Sequence, residues 1–265
     1  MITPSLTEIL KKLRLTGILE SYEVRLTEAR ENALSHNEWL ELILQDEIQR
    51  REGHALEARI KQARFDSIKT FESFILTHYP ITIQHIIKDL MTGQYVADKK
   101  HILLAGPTGT GKTHLAQSLG YLACLQGKRV RFTRAASFLR EMKASRADKT
   151  WDKTLKKFIA PDLLIIDDFG LSTLSFEEAE DIYELIVERD NKRSTIFTSN
   201  RKVEAFAKLF PDEAMGHAAI DRITSQSYQL ILDGDSYRQK RGDGHAHILH
   251  IQKDKKEEIT TAEKI

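Results

Sequence analysis

The spacing of apolar positions changes near residue 81, and that change divides the chain. Before it, apolar residues recur at helical intervals. Trp39, Leu40, Ile43, Leu44 and Ile48 fall on one helical face, and the pattern continues past Gly53 through Leu56 and Ile60. SLTE (5–8) and SHNE (35–38) each place a Glu three positions after a hydroxyl residue, the capping-box spacing that opens a helix. Residues 64–80 hold several aromatics without periodicity and end at Pro80, which predicts a connector. From 81 onward, short apolar runs alternate with helical stretches. Ile83, Ile86, Ile87 and Leu90 mark a short helix ending near Gly93. Runs at 102–105, 129–133, 163–167, 195–198 and 228–232 read as strands, and SFEE (175–178) opens another helix. Strands apolar on both sides and separated by helices predict a parallel sheet covered on both faces. The expected fold class is therefore α/β: a parallel five-stranded sheet sandwiched by helices, preceded by a small all-helical domain. The expected divisions are 1–65 (helical domain), 66–80 (connector), 81–244 (sheet domain) and 245–265 (charged tail).

Composition narrows the setting. With 265 residues, 41% hydrophobic and 30% charged, the chain has the balance of an ordinary core-forming protein. No apolar run approaches the roughly 18 residues of a membrane span, and the first residues lack a signal-peptide core. A single cysteine, Cys124, leaves no internal disulfide and no CxxC metal site. These features predict a cytoplasmic protein that does not enter a membrane. The net charge is only +1, but its distribution is uneven: residues 128–157 carry eleven Lys/Arg against three acids. Within that stretch Lys143, Arg146, Lys149, Lys153, Lys156 and Lys157 lie mostly three to four positions apart. Such a stripe can follow a nucleic-acid backbone without reading bases. Trp151, inside it, fits packing better than base stacking. Arg50, Arg51, Arg59, Lys61 and Arg64 form a weaker second set, diluted by acidic neighbours.

The chemistry concentrates in GPTGTGKT (106–113), which satisfies G-x-x-x-x-G-K-[ST] between a strand and a helix. Gly106, Gly109 and Gly111 permit a tight loop, with Pro107, Thr108 and Thr110 completing it, so that backbone N–H groups face a phosphate. The helix that follows adds its positive end. Lys112 is placed for the β- and γ-phosphates, and Thr113 for Mg²⁺. LLIIDD (163–168) then supplies an apolar strand tipped with carboxylates. Asp167 is expected beside the metal, and Asp168 beside an attacking water. TIFTSN (195–200) is a strand that ends in Asn200; alone this would read as a turn former. After the two earlier motifs, its amide is a candidate for holding water or sensing the γ-phosphate.

Together GPTGTGKTHLA, LLIIDDFG, ERDNKRSTIFTSN, IDRI and DGDSYR, in this order, resemble the IstB family of insertion-sequence helper ATPases. These are AAA+ P-loop relatives of DnaC-type helicase loaders and of the initiator DnaA, and the similarity covers nearly the whole chain. The resemblance implies ATP and Mg²⁺ as cofactors and an ATP-dependent homo-oligomer on DNA. It implies an arginine finger given to the neighbouring subunit at Arg222, and a nucleotide-reading arginine within the same subunit at Arg238. Asp168 departs from the Glu of many AAA+ proteins, and its shorter reach implies slow hydrolysis; DnaA-like sequences also carry Asp-Asp, so it does not imply a loss of activity. The implied function is an ATPase that grips duplex DNA without sequence preference and delivers it to a separate transposase. A helicase loader would carry the same motifs. A small-molecule kinase would rarely carry the TSN strand with two later arginines.

Overall fold

The computed structural model describes residues 2–233; Arg238, the tail after Gly244 and its HILHI run lie outside the described residues. Three helices come first: α1 (Pro4–Lys12), α2 (Thr16–Glu31) and α3 (His36–Ala63). The box expected at Ser5 does not form. Thr3 is the N-cap, its hydroxyl accepting from Leu6 N–H, and Pro4 takes the first helical position, where its missing N–H costs no hydrogen bond. The box at Ser35 and Glu38 is present. α2 lacks a cap of its own; Glu47 of α3 provides one, its buried carboxylate accepting from Gly17 N–H at 2.6 Å and Ile18 N–H at 3.2 Å. Gly17 is required for that approach, since a Cβ there would lie 2.9 Å from the Glu47 Cα.

The apolar face expected along α3 is only partly buried. Ile43 joins a cluster with Leu10 and Ile18, while Leu40, Leu44 and Ile48 are exposed. The reason is that α3 serves two cores. Its first half packs on α2, and beyond Gly53 it turns Leu56, Ile60 and Ala63 onto the sheet. The connector follows as an extended strap with single 3₁₀ turns at Phe71–Ser73 and Leu76–His78.

Then come α4 (Ile81–Met91), α5 (Gln94–Ala97), β1 (His101–Ala105), α6 (Lys112–Leu125), β2 (Val130–Arg134), α7 (Ala135–Ala147) and α8 (Trp151–Ile159). β3 (Leu163–Asp167), α9 (Phe176–Arg189), β4 (Ser194–Ser199), α10 (Glu213–Ser225) and β5 (Ser227–Ile231) complete the described chain. All five strands expected from sequence are present, within one residue at each end, in the order β2-β3-β4-β1-β5 and parallel throughout. Alternate residues of a strand point to opposite faces, so the strands divide between two cores. Ile102, Leu104, Phe132 and Ile165 pack under α3, α4 and α6. Leu103, Leu164, Ile166 and Phe197 pack under α7, α8, α9 and α10. Among the described residues, no helix is long and apolar enough to cross a membrane.

Candidate nucleotide site

Because the strands are parallel, their C-terminal ends share one edge of the sheet. Four neighbouring strands therefore deliver Arg134, Asp167, Asn200 and the loop beginning at Gly106 to one place. There Arg134 and Asn200 line a cavity of about 430 Å³ with Thr108, Gly109, Gly111, Lys112, Thr113 and Asp168, while Asp167 lies buried beneath. Gly106, Gly109 and Gly111 have φ of 145°, 90° and 87°, a region that only glycine enters without strain. At Gly106 the neighbours also forbid a side chain, since a Cβ would come within 2.2 Å of the Leu232 carbonyl oxygen. The loop ends on the first turn of α6, whose N–H groups have no intrahelical acceptor. Lys112 is nearly buried, and its ammonium donates to the carbonyls of Gly106 at 2.8 Å and Pro107 at 2.7 Å.

The Thr113 hydroxyl donates to Asp167 Oδ1 at 2.8 Å, and the Thr198 hydroxyl donates to the same oxygen. Burial raises the Asp167 pKa; those two hydrogen bonds oppose the rise, and the neighbouring Asp168 adds to it. A hydroxyl and a carboxylate at the mouth of a phosphate cradle are hard oxygen donors, and this donor set suits Mg²⁺ held jointly with phosphate oxygens. Asp168 is exposed at the cavity wall, its backbone N–H donating to Thr198 Oγ1 at 3.0 Å. Asn200 lines the same wall.

The strap supplies residues that sequence reasoning missed. The Tyr79 hydroxyl donates to the Thr110 carbonyl at 2.7 Å, and the Tyr79 ring stacks on Phe74, which meets His114 edge-on. His114 Nε2 lies 3.1 Å from Ser73 Oγ. Asp66 pairs with Arg134, and both line the cavity. The only sequence signal for this was the group of aromatics before Pro80. Arg134 was hidden within a basic run.

Other expected residues lie elsewhere. Arg222, on α10, pairs with Asp190 at 3.1 Å and does not line the cavity. Asp190 precedes β4 and Arg222 precedes β5, which places the pair at the opposite end of the sheet. The basic stripe is split by a turn at 148–150, with Lys143 and Arg146 on α7 and Lys153, Lys156 and Lys157 on α8. Lys149 sits in the turn with φ 58°. Arg146 binds Asp181 at 2.7 Å, and Lys157 lies 3.4 Å from Glu141. Trp151 is packing: its ring lies against the second core and its N–H donates to Asp181 at 2.7 Å.

The profile of the IstB-like ATP binding protein matches residues 8–244. The chain belongs to that family. Among its relatives is a Mycobacterium tuberculosis protein whose name places it, as an ATP-binding protein, in an insertion sequence. It is 34% identical over 242 residues, covering 91% of this chain and 96% of the relative. Solved structures share the fold at lower identity. The DnaC helicase loader has a TM-score of 0.52 at 24% identity, covering 59% of this chain and 94% of that one. AMPPCP-bound DnaA from Aquifex aeolicus has a TM-score of 0.55 at 20% identity, covering 69% and 57%. The IstB-like chain thus has the AAA+ fold, and the sheet edge that carries its P-loop belongs to an ATP-binding family.

Proposed function

We propose that this IstB-like protein hydrolyses Mg²⁺·ATP at a site shared between neighbouring subunits. In the ATP state it assembles on duplex DNA without sequence preference and presents that DNA to a separate transposase. The observation that carries the reading is the separation of parts. Lys112, Thr113, Asp167, Asp168 and Asn200 gather at one end of the sheet, while Arg222 stands at the other. A guanidinium there cannot serve its own phosphate, but it suits the cavity of a second copy.

In this reading the loop amides and Lys112 hold the β- and γ-phosphates. Thr113 and Asp167 hold Mg²⁺, which when bound neutralises charge on the phosphate oxygens. Asp168 and Asn200 orient the attacking water, with Asp168 accepting its proton. Arg222 of one subunit, released from Asp190, stabilises charge that develops on the phosphoryl group held by the next. Lys143, Lys149, Lys153 and Lys156, exposed on α7, α8 and their turn, lie along the DNA backbone.

Light scattering and phosphate release, measured with and without plain duplex, test the reading. The expected result is a particle larger than a monomer only with ATP, and turnover that rises with duplex. Lys112→Ala is expected to abolish nucleotide-dependent assembly. A protein that stays monomeric and indifferent to duplex with Mg²⁺·ATP present would overturn the proposal. A strict preference for single strands, with capture of a ring helicase, would move the assignment to a helicase loader.

A further inference from the structure

A second opening lies away from the nucleotide cavity, where the C-terminal end of α3 meets the edge strand β2 and the end of α8. It encloses about 630 Å³ and is lined by Lys61, Arg64, Arg129, Arg131 and Lys157, with Gln62 and small apolar residues between them. The carboxylates nearby are already shared. Asp162 takes Arg129 at 3.0 Å and Arg193 at 3.3 Å, and Glu141 takes Lys157 at 3.4 Å and Arg131 at 3.5 Å. Lys61 and Arg64 have no carboxylate partner among the described residues, and both are exposed. Arg131 is the telling member. Its side chain is only 11% exposed and lies over the Phe158 ring, so its charge is held at the groove wall. Its charge adds to those of Lys61, Arg64, Arg129 and Lys157 around one opening, and an anion seated there would offset their mutual repulsion.

A simpler reading exists for two of these residues. Lys61 and Arg64 close α3, where cations offset the negative end of a helix. That does not account for the convergence of cations from three elements. We infer that this groove seats backbone phosphates of duplex DNA, in a contact built jointly by the helical segment and the sheet edge. The inference rests on the DNA-binding reading proposed above and adds a site to it. The lining contains no aromatic face for a base, and its apolar residues are small and scattered between the cations. Lys157 also continues the basic residues of α8, so one backbone can pass from that helix into the groove.

The test uses the full chain with a non-hydrolysable ATP analogue, Mg²⁺ and a fluorescent plain duplex, titrated over a salt series. Each phosphate contact contributes about 0.9 to the slope of log K against log salt. Lys61→Gln with Arg64→Gln should therefore lower the slope by about 1.8 and weaken binding about 60-fold at 0.1 M salt. DNA-independent ATP turnover should be unchanged, and Lys61→Arg with Arg64→Lys should keep the parent's affinity. An unchanged affinity and slope in the Gln pair would overturn the inference while leaving the DNA-binding reading intact. Loss of ATP-dependent assembly in the absence of DNA would also overturn it, making the groove a subunit contact. If the unsubstituted protein fails to bind duplex, the proposed function falls, and the groove with it.

Discussion

Asp167 is buried at the point where the proposed Mg²⁺·ATP site needs it charged. Burial raises its pKa, and the hydrogen bonds from Thr198 and Thr113 recover only part of that shift. A carboxyl whose folded pKa lies above its unfolded value destabilises the fold while ionised. That cost shrinks as pH falls toward the raised value, whereas Mg²⁺·ATP requires the ionised form. Asp167→Asn should therefore melt, in EDTA, no lower than the parent, while phosphate release falls by about 100-fold or more. Reduced melting temperature with intact turnover would contradict this account. Asp168 shows a second residue-level constraint. Its φ is 56°, in the left-handed region that Asp and Asn enter more readily than longer side chains. This gives a physical reason for Asp where many AAA+ proteins carry Glu. Asp168→Glu should cost about 1 kcal/mol in a urea titration.

At the scale of elements, the junction below the sheet depends on one buried cation. Arg189, at the end of α9, donates to Thr195 Oγ1 and to the carbonyls of Phe158, Ile159, Pro161 and Ser194, tying α8, β3 and β4 together. Arg189→Met leaves those acceptors without a donor and should cost about 3 kcal/mol or more. Beside it, His101 Nδ1 accepts from Thr195 N–H at 3.1 Å, and burial together with the Arg189 charge pulls the imidazole from 6.5 down to about 4. Because the folded value is the lower one, this contribution is complete above pH 6.5 and is lost as pH falls toward 4. The linked loss is about 3 kcal/mol. His101→Gln, whose amide oxygen can take the same hydrogen bond, should flatten the acid limb of stability against pH. None of this was legible beforehand. Arg189 sits in ERDNKRS, a polar run that reads as surface, and its burial is set largely by carbonyls at the end of α8, about thirty residues away. The five strands and the P-loop were legible because apolar runs and glycine spacing are local signals. The first capping box failed because Thr3 and Pro4 already supply a start; the connector was legible, but its reach to the phosphate loop was not, because Tyr79 and Phe74 act through long-range contacts without a period.

At the scale of the whole molecule, the two ends of the sheet make opposite demands on a partner. The end with Asp168 offers a phosphate cradle, and the end with Arg222 offers a cation held by Asp190. If turnover needs both, each must come from a different copy, and two inactive variants should repair one another. An Arg222→Ala subunit keeps a complete cradle, while an Asp168→Asn subunit keeps a usable guanidinium. Mixed in equal amounts, random head-to-tail contacts join a good cradle to a good arginine in about one interface in four. Phosphate release should then recover to about a quarter of the parent rate, although either variant alone is inactive. The recovery must appear only under conditions in which the parent assembles, because a composite site exists only at a contact. A mixture as inactive as its components would mean that Arg222 acts within its own subunit or only holds Asp190. Melting the Arg222→Ala variant alone distinguishes those two cases. A merely structural ion pair lowers its melting temperature in proportion to the lost turnover, whereas a guanidinium that acts within its own subunit leaves that temperature unchanged.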